Sequence, residues 1–272
     1  MTKTPRSTGA YWDDVADEFD RHDPSATWRA YMQDMYRRLL DQWFRDAPQG
    51  PTLKTDLFEE AVTPYHLFTA LGPQGVGVDV SLNVTRAAYR RLANENTSGA
   101  SPALVACDVR HLPFADGAFA RIVSGSSLDH FEHSSDIGHS LAELARCMQP
   151  GGVLVVTFDN PHNPLVWLRN RLPFRWLSAA RLVPYYVGAT YSKHDIQREV
   201  SALGLQLTDL TALVHVPRAP AIWIASIRER FGERRVAPAL LRAYRALEYQ
   251  ESMPWKFRSG YYLAARIVKP AE

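Results

Sequence analysis

Three aspartates close three short apolar runs: Asp56 ends TLKTD, Asp79 ends VGVD and Asp108 ends ALVACD. A carboxylate accepts hydrogen bonds, so at a strand tip it suits a ligand rich in donors. The second tip can take the paired hydroxyls of a ribose. The third can take the exocyclic amine of adenine, with the backbone N–H of Val109 offered to the ring. Taken singly, each is an ordinary strand-end Asp that caps the next turn. Taken together, they imply an adenosine fragment. A dinucleotide would also need bare backbone to cradle its pyrophosphate, the G-x-G-x-x-G pattern. After Asp56 this chain reads LFEEAV, with Phe58, Glu60 and Val62 where glycines would stand. Lys54 and Thr55 are the side chains placed to compensate. Lys54 shares a strand face with Asp56 and can pair with it or with a ligand carboxylate.

A second group follows the fourth apolar run, in SSLDHFEH. His130 is the residue type that takes a proton near neutral pH, and Asp129 is its expected orienting partner. The competing reading of His130 is a polar loop residue. His133 is a weaker candidate. DNPHNP, residues 159–164, has turn-forming composition and is read as a turn.

These residues need a scaffold that brings strand ends together. Two helices, YWDDVADEFDRHDP and ATWRAYMQDMYRRLLDQWF, precede the turn APQGP. Strands and helices then alternate: TLKTDLF, a helix over Pro64 to Leu71, VGVDV, a helix over Asn83 to Asn94, ALVACD, ARIVSG, a helix over Ile137 to Met148, and GVLVVTF. Strands that are apolar throughout, separated by helices, predict an α/β Rossmann-like, doubly wound sheet covered on both faces. Later strands at LQLTDLTALVHV and GYYLAARIV complete seven, mostly parallel, with the last antiparallel. The expected organisation is an N-terminal helical cap over residues 1–50 and a Rossmann-like domain over 51–272. Capping insertions at 160–192 and 217–257 belong to the same structural unit. Ligands in such sheets lie beyond the carboxyl ends of the strands.

With 272 residues, 46% of them hydrophobic, the chain is long enough for a large core. The longest run free of charged residues, Ala61 to Val78, is broken by Pro64, Gly72, Pro73, Gly75 and Gly77, so no transmembrane segment is expected. Two cysteines and no secretory leader fit a cytoplasmic setting. The formal charge of +2 conceals an asymmetry: residues 1–159 carry net −7 and residues 160–272 net +9. Arg169, Arg171, Arg175 and Arg181 alternate with Trp167, Phe174, Trp176 and Tyr185, as a lid over an apolar or anionic acceptor or as a peripheral membrane contact. The basic residues are scattered and no nucleic-acid module accompanies them, so no nucleic-acid partner is expected. No metal site is read, and the oligomeric state is left open.

The order DLFEEAV, VGVDVS, ACDVRHLPFADGAFARIVSGSSLDHF and LARCMQPGGVLVVTF resembles the class I S-adenosylmethionine-dependent methyltransferases, in particular their small-molecule, quinone-biosynthesis branch. The resemblance is strong over roughly residues 50–160. It implies S-adenosyl-L-methionine as cofactor and methyl transfer to a small, largely apolar acceptor. By that resemblance Asp79, Val80 and Ser81 lie at the ribose, Asp108 and Val109 at the adenine, and Asp56 near the methionine amino group. Ser124 and Gly125 lie beside the sulfonium, and Tyr11 closes over the cofactor. The family's D-x-G-x-G-x-G is the element this chain lacks. Two other functions stay open: an S-adenosylmethionine enzyme of non-methylating chemistry, and a non-catalytic binding protein of the same fold.

Overall fold

A computed structural model describes residues 9–19, 26–95, 101–179, 186–230 and 236–271. Two helices, α1 (Gly9–Phe19) and α2 (Ala26–Trp43), lead into β1 (Thr52–Thr55), α3 (Phe58–Val62), β2 (Gly75–Asp79), α4 (Leu82–Glu95), β3 (Ala103–Ala106) and β4 (Phe119–Gly125). There follow α5 (Ser134–Cys147), β5 (Met148–Asp159), α6 (Pro164–Arg171), α7 (Phe174–Ala179), α8 (Lys193–Ala202) and β6 (Gln206–Leu213). The chain closes with α9 (Arg218–Arg230), α10 (Pro238–Leu247), α11 (Lys256–Ser259) and β7 (Tyr262–Val268).

The strands form one seven-stranded sheet in the order β3-β2-β1-β4-β5-β7-β6. β7 runs antiparallel to both neighbours, while the pairings among β1 to β5 are parallel. Strand order reverses between β1 and β4, the switch point where such sheets take ligands. Alternation along β5 shows why both faces are apolar. Val153 and Val155 pack into one core with Tyr31 and Leu39 of α2 and Val84 and Leu92 of α4. Leu154, Val156 and Phe158 pack into the other with Ile137 and Leu144 of α5 and Ile196 of α8.

One element differs from the sequence reading. The helix expected over Pro64–Leu71 is a short α3 over Phe58–Val62 followed by a 3-10 turn over Phe68–Leu71. Thr63 Oγ1 accepts from Tyr65 N (3.2 Å), and Glu60 Oε1 accepts from Leu67 N and Phe68 N (3.3 and 3.2 Å). Side chains thus take donors that a helix through this segment would direct to its own carbonyls. Arg181 and Tyr185 of the expected lid lie outside the described residues.

Candidate active site

Asp56 directly follows β1 and occupies the left-handed backbone region (φ 76°), which Asp tolerates better than most residues. Its Oδ1 accepts from Phe58 N at 2.7 Å, an Asx turn that starts α3 without a glycine. Asp79, the last residue of β2, accepts Leu57 N on Oδ2 (2.9 Å) and Ser81 N on Oδ1 (2.8 Å). The β1 and β2 tips are therefore tied through one carboxylate. Burial, and then the charge of Asp56, push the Asp79 carboxyl up to about 7. Asp56 is raised as well, by burial first, against the pull of Lys54.

Lys54 does not stand free for a ligand. Its ammonium donates to the Asp56 carbonyl oxygen and lies 2.8 Å from Glu60 Oε2; Lys54 is 7% exposed and Glu60 0%. In the sequence Glu60 is only the occupant of a glycine position. It is the keystone of the rebuilt loop, holding Lys54 with one oxygen and the Leu67–Phe68 amides with the other. The signal in the sequence was an acid amid apolar residues, LFEEAV, with a Lys on the preceding strand.

Buried Thr55 and Ser124 form a hydroxyl triangle with half-buried Ser127 at the β1/β4 switch point, with Oγ separations of 2.8, 2.9 and 3.0 Å. The structure brings Thr55 and Ser124 together, and Ser127 joins them. Gly125 faces Tyr36 of α2, whose ring a Cβ there would approach at 3.5 Å. The Tyr36 hydroxyl lies 2.8 Å from Thr157 Oγ1, and burial pushes its pKa up to about 12. Tyr36 lies on α2, outside the strands that carry the expected site residues. Its place at the ends of β4 and β5 was not legible from spacing alone.

Three of the expected residues are engaged by protein neighbours. Asp108 is engaged rather than open: both its oxygens accept from the Arg110 guanidinium (2.6–3.1 Å), and Oδ1 also accepts Arg110 N at 2.9 Å. Burial would raise its pKa, but these bonds hold it below the ordinary carboxylate value. A carboxylate has about four acceptor sites, so this one has little left for an adenine amine. Val109 N makes no hydrogen bond among the described residues.

Ser81 is turned away from the strand tips. Fully buried, it caps α4 by accepting Val84 N at 3.0 Å and donates to Asp13 of α1. Val80 presents its carbonyl to α1, where a Cβ on Gly9 would stand 2.6 Å from that oxygen, so only glycine permits this approach.

Asp129 does not orient His130. Adjacent residues of the 3-10 turn Leu128–His130 point in different directions. Asp129 Oδ2 accepts Asp159 N at 2.6 Å, and Oδ1 is buried with no hydrogen-bond partner among the described residues. Burial and then Asp159 drive the Asp129 pKa well above the usual range. Asp159 itself pairs with Arg169 at 2.5 Å, and Arg169 donates to the Tyr261 hydroxyl at 3.0 Å.

His130 is oriented by backbone: Nδ1 lies 3.0 Å from the Tyr186 carbonyl. A carbonyl only accepts, so in the neutral ring Nδ1 carries the proton and Nε2 the lone pair. Burial lowers the pKa, and the Tyr186 carbonyl opposes that shift in part. The ring packs edge-on against Trp12 at 4.6 Å, beside Tyr11. Tyr11 Oη accepts Tyr186 N at 2.8 Å. A strap, residues 186–189, is laced to the turn by Gly188 N to Asp129 O (2.7 Å) and Ala189 N to Phe131 O (2.8 Å). α1 and this strap therefore close over His130, with Tyr11 at their junction. Among the described residues no group of three or more His, Cys, Asp or Glu could hold a metal ion, and no helix is long and apolar enough to cross a membrane.

A family model described as "Methyltransferase domain" matches residues 62–156, beginning just past the glycine-free loop. The matched segment spans β2 to β5 of a sheet whose strand order is that of the Rossmann-like methyltransferase fold. Demethylmenaquinone methyltransferase of Thermobifida fusca (strain YX) is 30% identical over 156 residues, 57% of this chain and 62% of the relative; the chain thus spans under two thirds of that relative's length. The [4+2]-cyclase SpnF shares the fold with a TM-score of 0.57 at 18% identity, covering 88% of this chain and 81% of SpnF. Geranyl diphosphate C-methyltransferase from Streptomyces coelicolor A3(2), solved with S-adenosyl-L-homocysteine, gives 0.53 at 16% identity, covering 87% and 79%.

Proposed function

We propose that the protein binds S-adenosyl-L-methionine across the β1 and β2 tips and transfers its methyl group to a small, largely apolar acceptor of quinol-like chemistry. One observation carries this reading. Asp56 and Asp79 lie on adjoining tips with raised pKa values, and the nearest cation, Lys54, is already held by Glu60. Two carboxylates that resist ionisation side by side suit a ligand bearing positive charge and hydroxyl donors. Asp79 has acceptor capacity beyond its two amide bonds for ribose hydroxyls, and Asp56 faces the ammonium end. Val109 N serves the adenine ring, while Asp108 acts through Arg110 to hold that loop. The matched domain and the curated relative's name support the same direction.

When bound, the cofactor supplies a methyl group activated on a cationic sulfur. The chain's own contribution is alignment and exclusion of water, worth up to roughly 7–11 kcal/mol in favourable model systems. The hydroxyl triangle and Gly125 border the sulfur end of the site. Nε2 of His130 accepts the acceptor's proton. Its lowered pKa keeps the ring neutral at pH 7, the form a base requires. α1 and the 186–189 strap form the dry roof.

The test is transfer of labelled methyl from S-adenosyl-L-methionine to a panel of demethylated quinols, with S-adenosyl-L-homocysteine binding measured in parallel. Label in the organic extract is expected, and His130→Ala should lower kcat about 10²–10⁴-fold. Cofactor binding without label transfer would favour the second reading, an S-adenosylmethionine enzyme of other chemistry. That reading has one observation behind it: the Leu57 and Phe58 amides, which line the rebuilt loop, are already taken by Asp79 and Asp56. No binding at millimolar ligand would refute both.

A further inference from the structure

α6 presents apolar side chains to solvent on most of its circumference. Val166 is buried, but Leu165, Trp167 and Leu168 are 49%, 48% and 49% exposed, and Leu172 and Trp176 continue the surface at 37% and 59%. Leu165 and Leu168 are i, i+3 neighbours on α6, Trp167 and Arg171 are i, i+4 neighbours, and Leu172 follows at the helix end in extended backbone. Single exposed apolar residues are ordinary, but five large ones within twelve positions form a contiguous patch of the kind that marks an interaction surface.

The charge on this patch has one sign. No Asp or Glu occurs between Asp159 and Asp195, whereas Arg171, Arg175 and Lys193 do, and Arg169 is the one cation of this stretch met by an acid, Asp159, among the described residues. Arg171 lies over the Trp167 ring, 3.7 Å from its centroid, and both Arg171 and Arg175 are exposed. Beside α6 is a cavity of about 560 Å³ lined by His162, Trp167, Phe257, Lys193 and Arg258, and neither Lys193 nor Arg258 has an ion-pair partner among the described residues. A second copy of the chain would bring like charges together in a self-complementary interface, which disfavours it. Tryptophans and leucines beside exposed cations match the boundary between acyl chains and anionic headgroups.

We infer that the α6–α7 face docks on an anionic phospholipid bilayer, with Trp167, Trp176 and the leucines entering the headgroup boundary and Arg171 and Arg175 pairing with lipid phosphates. α6 follows the C-terminal end of β5, so the docked face adjoins the side of the sheet that carries the site. The inference rests on this surface and stands whether or not the chain methylates.

The experiment is cosedimentation of the full chain, without cofactor, with phosphatidylglycerol–phosphatidylcholine vesicles and with pure phosphatidylcholine vesicles. Binding is expected to require phosphatidylglycerol, to fall with salt, and to weaken about fivefold for each arginine neutralised in Arg171→Gln/Arg175→Gln. Trp167→Ser/Trp176→Ser should also release the protein, with circular dichroism showing that the variant remains folded. In the wild-type chain, brominated lipids should quench tryptophan emission, a readout independent of any variant's folding. Absence of binding and quenching would overturn the inference. So would equal binding by wild type and variants, or a concentration-dependent dimer dissolved by Trp167→Ser/Trp176→Ser without vesicle binding.

Discussion

Asp79→Asn is the perturbation that most directly tests the carboxylate pair. The Asp79 carboxyl titrates at about 7 against a starting value of 3.8, so keeping it charged in the ligand-free protein costs about 4 kcal/mol at the usual 1.4 kcal/mol per pH unit. The sign follows from its folded pKa lying above its unfolded one. Between about pH 4 and 7 the folded chain holds a proton that the unfolded chain releases, so Asp79 makes stability fall as pH rises through that window. A cationic ligand with hydroxyl donors needs the charged form. Its affinity should therefore rise up to tenfold per pH unit from about 5.5 to 7 and level off above, with proton release visible as a buffer-dependent heat in calorimetry. Asn cannot ionise, so Asp79→Asn should flatten that profile and weaken binding at pH 8 by about 1–3 kcal/mol. The ligand-free variant should nevertheless be the more stable at pH 8 in urea. It is relieved of the charge cost, while one of the Leu57 and Ser81 amide bonds, worth about 1–3 kcal/mol, is lost. Affinity independent of pH from 5.5 to 7.5, or an Asn variant that binds like wild type, would refute the reasoning.

Lys54→Met and Glu60→Leu should each destabilise the fold by about 3–5 kcal/mol by stranding a buried charge, whereas the double substitution should cost much less. Urea denaturation of all three variants checks this; additive losses would refute it. At Gly188 a Cβ would lie 1.9 Å from the Phe131 carbonyl oxygen, so Gly188→Ala must displace the strap. Faster proteolysis near residue 188 and loss of the Tyr11–Tyr186 contact by crosslinking are expected, and unchanged protection would show that the strap does not depend on this approach.

The Rossmann-like sheet was legible because apolar runs of four to six residues, punctuated by Gly and Pro, leave few other ways to bury both faces. The strand-tip acids were legible for the same reason: the end of an apolar run locates a tip whatever the tertiary context. Partners were not legible, because they depend on distance in space rather than along the chain. Asp79 reaches back to the Leu57 amide across 22 positions, and Asp129 turns to the Asp159 amide 30 positions on instead of to its neighbour His130. The glycine-free loop shows the division most clearly. Sequence alone identified the missing glycines and the need for side chains to replace them. Only the folded chain decided that Glu60, sealed from water with Lys54, would hold the loop. A buried charge must find a counter-charge and donors nearby, and which groups are nearby is fixed by packing.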